Sequence, residues 1–463
     1  MVQHPEPPKA HQEQPRAQRL GPRPLPLHLA TTNLMLLSSL AVWPIAKNAS
    51  PHLNPHWLAR FSQLLPDLAS VDPNEFTAAL IRAGLARIGA MTGGMQRYRR
   101  HGWHRDLPDP PVFWREGSSR LLAYGEAGMP VLLVPSLVNR AYVLDLAEGQ
   151  SLARWLPRSS TARQGMRPFL LDWGDPGRAE QRFDLAAYIA RIRRALKHVK
   201  RETGQTPILL GYCMGGNLAL AAAVTAPEDV AALALLATPW DFHAGGAHHA
   251  ALVQALAPAL VPAPASAGEA PPMLEVDTLQ GFFWALDPFT ALKKFTQFAT
   301  LPEGSDAERR FVAMEDWLND GVPLAGAVAR ECLLGWYGEN RPVQGRWLID
   351  GRPVLPQDWR KPALVVLPER DKLVPKEGAA ALLTQMPQAQ RLDAPSGHIG
   401  MMVGPRAEAG LWQPLADWLA ATAGTGAAAK TRSQTEKPAR KPRSRTAPST
   451  GPRTGRRATK VQA

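Results

Sequence analysis

The sequence predicts an α/β fold in which helices cover both faces of a mostly parallel sheet. Two observations predict it. From about residue 101 onward, short continuous apolar segments recur, as is typical of strands that are buried on both faces. Longer helical patterns separate them, and DLAAYIARIRRALKHVKRETG, residues 184–204, has the length and amphipathicity of a crossover helix. Strands that alternate with such helices form a parallel sheet between helical layers.

Five apolar segments are the candidate strands: PVLLVPS (130–136), RPFLLDW (167–173), PILLGYC (207–213), AALALLATP (231–239) and PALVVLPERD (362–371). More than a hundred residues separate the last two, and they do not follow a simple strand-helix pattern. An insertion at this position lies above the carboxyl ends of the strands, where such folds place their sites. We therefore expect a lid at about 240–345, whose Ala/Pro-rich part, residues 255–272, is mobile.

The residues before this domain divide into two regions. Residues 1–26 are rich in Pro, Gln, Arg and His, and we expect them to form a disordered leader. Residues 27–100 have a helical pattern. Within them Asp72 is a candidate N-terminal cap, and the pair Gly93-Gly94 is a candidate helix stop.

The apolar run LMLLSSLAVWPIA, residues 34–46, resembles the core of a signal peptide. The residues before it include two Glu and several Pro, which is unusual for such a signal. The run is also shorter than the roughly 20 residues that a membrane span needs. We therefore expect a buried or surface-lying helix.

The positive charge of the chain is concentrated at its C-terminal end. Residues 430–463 contain 11 Lys or Arg and one acid, Glu436, a net charge of +10 out of the total of +13, which leaves +3 for the remainder. We expect residues 424–463 to form a disordered basic tail behind a domain that covers residues 101–423. The tail either binds a polyanion such as DNA, polyphosphate or a granule surface, or acts as a solubilising extension.

Length and cysteine content point to a globular cytoplasmic protein. A chain of 463 residues with 45% hydrophobic residues can bury a large core. Two cysteines, Cys213 and Cys332, do not make a disulfide framework, which favours a reducing compartment. Cys332 lies in an apolar helical context, so we expect it in the core.

The segment GYCMGG, residues 211–216, joins a candidate strand to the helical segment NLALAAAV. A nucleophile flanked by small residues at a strand-to-helix turn is the pattern of a nucleophile elbow, here with a thiol in the usual place of a serine. Glycines at 211 and 215 allow the close backbone approach that the turn needs. Cys213 is then expected to project above the sheet, where free N–H groups at the helix start favour its thiolate form. The alternative is a buried structural cysteine.

Two further residues follow Cys213 in the order nucleophile, acid, histidine that α/β-hydrolases use. Asp371 closes the last candidate strand, and His398 lies in APSGHIGMM after a further short apolar run. Neighbouring strand ends bring both side chains toward the elbow. Taken singly, Asp371 is typical of a surface acid paired with Arg370 or Lys372, and His398 of a loop histidine. The three in this order favour a catalytic triad.

An oxyanion hole needs two N–H donors near the nucleophile. Met214, directly after Cys213, supplies one candidate. The loop after an early strand supplies the other in VPSLVNRAYVLDL, residues 134–146, where Ser136 and Leu137 are the candidates.

Substrate-binding candidates come from the same loop and from the lid. Asn139, Arg140 and Asp145 either orient substrate or hold the loop in place. Trp317 and Tyr337 either line an acyl channel or belong to the aromatic core.

Together these segments resemble the catalytic domain of polyhydroxyalkanoate synthases, over roughly residues 100–420. The resemblance rests on VLLVPSLVNRAYVLDL, SLARWL, LLDWGDP, GYCMGGNLAL, LLATPWDF, ENRPVQGRWLIDGRPV, PALVVLPERDKLVP and SGHIGMMVG, of which the cysteine-containing segment is the most specific. Three features depart from the family: the Ala/Pro stretch near 254–271, Gly404-Pro405 where many members have Asn-Pro, and the basic tail.

The resemblance implies an α/β-hydrolase fold and an acyltransferase that polymerises (R)-3-hydroxyacyl-coenzyme A into polyhydroxyalkanoate. Cys213 would be the acylated nucleophile, His398 the general base, and Asp371 the acid that activates the 3-hydroxyl of the incoming monomer. It implies no cofactor, since the coenzyme A thioester is the substrate. It also implies a growing polyester chain and granule surface as partners, a cytoplasmic granule location, a homodimer, and in some members a second synthase subunit.

Thiol chemistry suits this reaction on independent grounds. Transfer of an acyl group from coenzyme A to a cysteine exchanges one thioester for another and keeps the group activated, whereas a serine ester would lose that activation. Attack by a hydroxyl then makes a stable ester, with His398 transferring protons in both steps. Water must be excluded, and the aromatic residues Phe282, Phe283 and Trp284 are candidates for the seal.

Two other functions fit the same residues. A thioesterase, esterase or intracellular polyester depolymerase would use Cys213, Asp371 and His398 in the same way. A non-catalytic granule- or nucleoid-associated protein held by its tail would not use them. The histidine-rich segments HGWH (101–104) and HAGGAHH (243–249) lack a matching Cys or carboxylate set at ligand spacing, so we expect no metal site.

Overall fold

The structure is a computed structural model that describes residues 19–47, 62–64, 66–67, 71–159, 165–244, 247–264, 266 and 272–422. By internal contacts the chain divides into two units, Met1–Thr422 and Ala423–Ala463. The second unit, and with it the predicted basic tail, lies outside the described residues, as do residues 1–18 of the predicted leader.

The strands are β1 Val112–Glu116, β2 Ser119–Ala123, β3 Met129–Val134, β4 Met166–Asp172, β5 Ile208–Tyr212, β6 Leu233–Leu236, β7 Met273–Leu274, β8 Leu324–Ala325, β9 Leu348–Ile349, β10 Arg352–Pro353, β11 Ala363–Pro368 and β12 Gln390–Ala394. Eight of them form one sheet in the order β1-β2-β4-β3-β5-β6-β11-β12. The pairs β1/β2 and β2/β4 are antiparallel, and the others are parallel. The short pairs β7/β8 and β9/β10 lie outside this sheet.

The helices are α1 Leu25–Lys47, α2 Pro73–Arg100, α3 Leu152–Trp155, α4 Leu185–Thr203, α5 Met214–Thr225, α6 Ala247–Leu260, α7 Val276–Leu286, α8 Thr290–Ala299, α9 Asp306–Asn319, α10 Gly326–Arg330, α11 Lys376–Gln385, α12 Gly400–Val403 and α13, residues 413–422. Two π-helical segments, Glu331–Gly338 and Glu408–Trp412, follow α10 and precede α13. The α/β architecture predicted from the sequence is therefore confirmed.

Continuous apolar strands form the centre of the sheet because both of its faces are covered. Every residue of β3, β5, β6 and β11 is buried. In register, Leu132 of β3 lies beside Phe169 of β4, and Val366 of β11 lies beside Leu236 of β6. The five predicted strands all appear and end before their predicted last residues, while β3 and β4 begin one residue earlier than predicted. The antiparallel hairpin β1–β2 was not predicted, because its half-exposed, alternating residues do not form a continuous apolar run.

The crossover helix α4 has the boundaries that its sequence indicates. Asp184 caps its N-terminus by accepting the Ala187 N–H at 2.9 Å, and Gly204 ends it in a left-handed conformation with φ 68°. Its apolar face, which includes Ile189 and Leu196, is fully buried in the main core. This packing fixes the position of the neighbouring helix α5, which begins at the candidate nucleophile.

The N-terminal helices differ from the prediction at one point. Asp72 caps α2 as expected, and its carboxylate accepts the N–H groups of Asn74 and Glu75. The helix does not stop at Gly93-Gly94 but continues to Arg100. A Cβ at Gly94 would lie 2.1 Å from the carbonyl oxygen of Phe295 in α8, so this glycine permits close packing of two helices.

The predicted leader also extends too far. Residues 19–26 belong to it by prediction, yet Arg19 pairs with Asp316 of α9 over 2.6 Å, and α1 begins at Leu25. Arg23 pairs in the same way with Asp277 of α7. Carboxylates of the insertion thus provide partners that composition alone does not reveal.

The apolar run at residues 34–46 lies in α1, as a surface helix: the side chains of Leu34 and Leu37 are 66% and 63% exposed. Among the described residues, no helix is long and apolar enough to cross a membrane.

The insertion between β6 and β11 contains helices α6 to α10 and the short pair β7/β8. Part of its Ala/Pro-rich stretch is helical: α6 includes Pro258, and its residues Val253 and Ala257 are buried. Residues 265 and 267–271, where mobility was predicted, lie outside the described residues. Helices of the insertion line the cavity at Cys213, which follows the carboxyl end of β5. The insertion therefore lies over the carboxyl ends of the central strands.

Candidate active site

Cys213 lies at a strained turn between β5 and α5. Its φ and ψ angles are 56° and −130°, a backbone conformation that residues other than glycine rarely adopt. Its N–H donates to the carbonyl oxygen of Leu236 in β6 at 2.9 Å, so the residue is anchored to the sheet. Strain of this kind persists only where the surrounding structure enforces it, which is typical of a nucleophile elbow.

Three glycines permit the tight turn. A Cβ at Gly211 would lie 2.4 Å from the Cα of Gly216, and one at Gly215 would lie 2.2 Å from the carbonyl oxygen of Val134. A Cβ at Gly216 would meet the Thr238 side chain at 1.8 Å. Helix α5 therefore approaches β3 and the end of β6 so closely that only glycine fits at these positions.

His398 and Asp371 form a hydrogen-bonded pair beside the elbow. Nδ1 of His398 lies 2.7 Å from Oδ2 of Asp371 and, because a carboxylate only accepts, Nδ1 carries the proton. The Asp371 side chain is fully buried. This arrangement leaves Nε2 of the imidazole for a group in the cavity, which is the orientation that a general base requires.

The second oxygen of Asp371 is also occupied. Oδ1 accepts the N–H groups of Leu373 and Val374, each at 2.8 Å. The neighbouring Lys372 pairs with Asp287 instead. Asp371 is thus a buried acid that is held by its own loop and hydrogen-bonded to His398.

The Cys213 side chain interacts with the His398 ring. Burial lowers the pKa of His398, but electrostatic attraction to the Cys213 sulfur and hydrogen bonds with Asp371 and Cys213 outweigh burial and raise that pKa to about 10. The ring also stacks on Tyr212, with ring centroids 5.1 Å apart, and the Tyr212 hydroxyl donates to the His398 carbonyl oxygen at 3.2 Å. The structure therefore brings together all three residues of the predicted triad.

The predicted oxyanion donors have different surroundings. Met214 begins α5, and Ser136 lines the same cavity as Cys213. Leu137 has its side chain in the core. The structure records no hydrogen bond from the N–H groups of these three residues to another described residue. Val138, which the sequence analysis did not consider, donates its N–H to Ser136 Oγ at 3.2 Å.

The loop that carries Ser136 is held by a residue that sequence reasoning missed. The indole Nε1–H of Trp173 donates to the Pro135 carbonyl oxygen at 3.1 Å, and the Trp173 ring packs at right angles on Tyr188. A Cβ at Gly215 would lie 2.6 Å from the same carbonyl oxygen. Trp173 and α5 therefore fix this loop from two sides.

A cavity of about 630 Å³ contains the site. Cys213 and His398 lie in its wall beneath the insertion, and Phe282, Phe283 and Trp284 of α7 contribute to its lining. Cys332 is buried as expected and also borders the cavity. Residues Pro22, Arg23 and His28 line it as well, a contribution from the chain start for which the sequence carries no local signal.

Four of the five substrate-binding candidates, Asn139, Arg140, Trp317 and Tyr337, line this cavity, with several of their polar groups already occupied. Asn139 Nδ2 donates to the Trp317 carbonyl oxygen at 3.3 Å, and Trp317 Nε1 donates to the Arg140 carbonyl oxygen at 2.8 Å. Arg140 pairs with Asp320 and Asp175. Tyr337 is half-buried, and desolvation of its hydroxyl raises the pKa of that group. Asn139, Arg140 and Trp317 thus tie the loop after β3 to the insertion.

Asp145 does not belong to the site. It is buried away from the cavity and accepts hydrogen bonds from Arg105, Arg154, Ser151 and Tyr124. In the described residues no group of three or more His, Cys, Asp or Glu is arranged to hold a metal ion. His101 of the HGWH segment pairs with Glu308 at 3.3 Å, and His243 lies 2.8 Å from the Tyr337 carbonyl oxygen.

Comparison with known proteins adds to this geometry. The family model of the α/β-hydrolase fold matches residues 129–405, more than half of the chain. A poly(3-hydroxyalkanoate) polymerase subunit PhaC of Allochromatium vinosum is 30% identical over 296 residues, which cover 63% of this chain and 80% of that protein. The chain belongs to the PhaC polymerase family of the α/β-hydrolase fold.

The PhaC subunit of Haloferax mediterranei is also 30% identical, over 335 residues and 70% of this chain. The chain spans 66% of that relative's length, slightly less than two thirds. Among solved structures, the non-heme bromoperoxidase BpoC of Mycobacterium tuberculosis is similar with a TM-score of 0.44 and 15% identity, covering 70% of this chain and 99% of that one. Family membership agrees with the resemblance seen in the sequence.

Proposed function

We propose that the chain polymerises (R)-3-hydroxyacyl-coenzyme A into polyhydroxyalkanoate through an acyl-enzyme on Cys213. The observation that carries the proposal is the alignment of Cys213 at a strained elbow with His398, whose Nδ1–H is held by Asp371 over 2.7 Å. Membership of the PhaC family supports the same reaction class. No cofactor takes part in the proposed reaction, since the thioester is the substrate.

In the first step the Cys213 sulfur attacks the thioester carbonyl. The carbonyl oxygen becomes an oxyanion, and in the proposed step the N–H groups of Met214 and of Ser136 or Leu137 stabilise it. When the tetrahedral intermediate collapses, the bond to coenzyme A breaks. His398, protonated on both nitrogens, donates its Nε2 proton to the departing coenzyme A sulfur. The products are an acyl thioester on Cys213 and free coenzyme A.

In the second step the 3-hydroxyl of the incoming monomer attacks the acyl group on Cys213. His398 Nε2 accepts the hydroxyl proton as the new ester bond forms, and the bond to the Cys213 sulfur breaks. Asp371 stabilises the resulting imidazolium through the Nδ1 hydrogen bond, as the acid of such a triad does. The sulfur and the protonated imidazole are then ready for the next thioester.

Water would intercept the acyl-enzyme, and the covered cavity supports its exclusion. Residues of the insertion line the cavity at the partly buried Cys213, among them the aromatic residues of α7. Exclusion of water also strengthens the electrostatic interactions within the site. This enclosure favours transfer to a hydroxyl over hydrolysis.

We further propose that the protein associates with polyester granules in the cytoplasm, as a homodimer or with a second synthase subunit. The outward-facing leucines of α1 support contact with an apolar partner, since exposed apolar surface is typical of interaction sites. Binding of DNA or polyphosphate by residues 424–463 is a separate proposal, which rests on their charge.

The decisive experiment incubates purified protein with (R)-3-hydroxybutyryl-coenzyme A and follows thiol release and turbidity together. A synthase releases thiol and forms insoluble polymer. A hydrolase releases thiol and free hydroxy acid without turbidity. Cys213→Ala must abolish thiol release in either case. If wild-type protein releases no thiol, and Cys213→Ala leaves a cellular phenotype intact that deletion of residues 424–463 removes, the chain is a non-catalytic granule or nucleoid protein.

A further inference from the structure

The cavity at Cys213 has a polar end that the proposed reaction does not use. His28 of α1, Lys294 of α8, and Glu315 and Asn319 of α9 line it together with Cys213. Three separate elements thus bring an imidazole, an ammonium group, a carboxylate and an amide into one wall of the cavity. Most of the other lining residues are apolar.

Glu315 has one occupied and one unoccupied oxygen. Glu315 is 0% exposed. Its Oε1 accepts hydrogen bonds from Lys294 Nζ at 2.7 Å and from Asn319 Nδ2 at 3.3 Å. Its Oε2 is buried and has no hydrogen-bond partner among the described residues. A buried carboxylate oxygen without a donor is costly, so a ligand that supplies a donor gains binding free energy there.

His28 presents a second acceptor. The residue is 8% exposed, and its Nε2 lies 3.2 Å from the Arg23 carbonyl oxygen. Since a carbonyl oxygen only accepts, Nε2 carries the proton and Nδ1 is an acceptor when the ring is neutral. Burial and, to a smaller extent, the nearby Lys294 lower the pKa of His28 and keep it neutral, against the Arg23 hydrogen bond. Nδ1 is buried and has no partner in the described part of the chain.

The unmatched groups restrict the ligand. Two of them, His28 Nδ1 and Glu315 Oε2, need a donor, and a third, the Trp284 indole N–H, needs an acceptor. All three residues line the cavity. Ester and thioester groups and alkyl chains have no hydrogen to donate. In a hydroxyacyl-coenzyme A thioester, the groups near the reacting carbon that both donate and accept are the 3-hydroxyl and the amides of the pantetheine arm.

We propose that His28 Nδ1, beside the buried Glu315, is a subsite that accepts a hydrogen bond from one donor group of the thioester substrate, either its 3-hydroxyl or a pantetheine amide N–H. The proposal rests on the proposed function and deepens it. The subsite selects thioesters that carry such a group and directs them along the cavity toward Cys213. His28 lies on the N-terminal helix α1, and its neighbour Glu315 lies on α9 of the insertion.

The test compares His28→Leu with His28→Gln, because Leu removes the acceptor whereas Gln retains one. His198→Leu is the matched control, because His198 is a half-buried histidine of α4 that does not line the cavity. The rate of the first thiol release is measured for three thioesters: 3-hydroxybutyryl-coenzyme A, butyryl-coenzyme A without the hydroxyl, and the 3-hydroxybutyryl ester of thiophenol without the amides. Thermal unfolding of each variant checks that it folds.

A subsite for the hydroxyl predicts that His28→Leu slows release from both hydroxybutyryl esters by about two- to tenfold and leaves butyryl-coenzyme A unchanged. A subsite for the pantetheine amides predicts the same loss with both coenzyme A esters and none with the thiophenol ester. His28→Gln should retain much of the wild-type rate in either case. An equal effect on all three thioesters, or no effect on any, overturns the proposal.

Failure of the subsite is distinguishable from failure of the proposed function. If wild-type protein releases no thiol from any of the three thioesters, the acyl-enzyme itself is wrong. If wild-type protein does release thiol, and His28→Leu does so with unchanged selectivity, the proposed function stands and only the subsite is wrong.

Discussion

Asp371 and His398 lie in a buried pair in which both carboxylate oxygens already accept hydrogen bonds. Oδ2 accepts the His398 Nδ1 proton at 2.7 Å, and Oδ1 accepts two backbone N–H groups of the following turn. The family resemblance implied that this acid activates the 3-hydroxyl of the monomer. The hydrogen bonds of Asp371 suit a role in orienting the His398 ring, and we propose that His398 is the residue that contacts the substrate.

Substitution Asp371→Asn tests this division of roles. The amide places an N–H where the imidazole Nδ1–H is now accepted, which favours the wrong tautomer of His398. We expect thiol release from 3-hydroxybutyryl-coenzyme A to fall by roughly a hundredfold or more. Asp393→Asn, in a partly exposed ion pair with Arg391 and Lys376, should change the rate little. A rate within a few-fold of wild type for Asp371→Asn would contradict the assigned role.

The protonation state of His398 gives a second prediction. Electrostatic attraction to the Cys213 sulfur is the largest of the contributions that raise the pKa of His398, which reaches about 10. In Cys213→Ala, burial still lowers the pKa of His398, and only the hydrogen bond and the electrostatic attraction to Asp371 still raise it. We therefore expect this pKa to fall clearly below 10. NMR titration of labelled histidine measures it directly. Cys332→Ser, which removes the other cysteine, should leave the titration unchanged.

The raised pKa of His398 also determines how the stability of the folded protein changes with pH. The folded pKa of His398 lies above its ordinary value of 6.5, so the charged ring stabilises the folded state fully below pH 6.5. This contribution is lost as the pH rises through about 10. Between pH 6.5 and about 10, denaturant unfolding of the wild type should show a loss of unfolding free energy. Cys213→Ala should lack this loss. A larger loss in the variant than in wild type would contradict the interaction between Cys213 and His398.

The sequence predicted those parts of the site that depend on local pattern. Continuous apolar strands indicated their own burial, and Gly211 and Gly215 around Cys213 indicated the elbow. Asp371 and His398 followed because strand ends converge on one edge of a parallel sheet. Contacts between distant segments left no such pattern. Arg19 with Asp316, 297 residues apart, and His28 in the cavity wall depend on how the N-terminal helices pack on the insertion.

Gly215→Ala tests the packing of the elbow. The added methyl group would lie 2.2 Å from the Val134 carbonyl oxygen and 2.6 Å from that of Pro135, so α5 or the loop after β3 has to move. We expect the free energy of unfolding to fall by about 1–3 kcal/mol, and thiol release to fall with it. Gly89→Ala in α2, where an added Cβ meets nothing within 4 Å, should be neutral or slightly stabilising. Equal denaturation midpoints for the two variants would contradict the packing account.

Trp173→Phe tests how the loop that carries Ser136 and Leu137, here named the oxyanion loop for its proposed role, is held. The ring remains, but the hydrogen bond to the Pro135 carbonyl oxygen is lost, so Ser136 and Leu137 are less well positioned. We expect acyl transfer to slow by about tenfold or more, since loss of a single oxyanion donor outright costs a hundredfold or more. Alkylation of Cys213 by iodoacetamide forms no oxyanion and should proceed at the wild-type rate.

The matched control is Trp240→Phe, which removes a similar indole hydrogen bond to Gln385 at 3.0 Å, outside the cavity. It should leave both rates close to wild type. If Trp173→Phe slows alkylation and acyl transfer to the same extent, the residue has a structural role alone, and its proposed action on the oxyanion loop is wrong.

Acylation of Cys213 is the central claim, and mass spectrometry tests it most directly. The protein is mixed with 3-hydroxybutyryl-coenzyme A, quenched in acid within the first turnover, digested and sequenced. The account predicts a peptide that carries one or more 3-hydroxybutyryl units on Cys213, with Cys332 unmodified and no modified peptide from Cys213→Ala. Thiol release without any acyl group on Cys213, or an acyl group on a different residue, would contradict it.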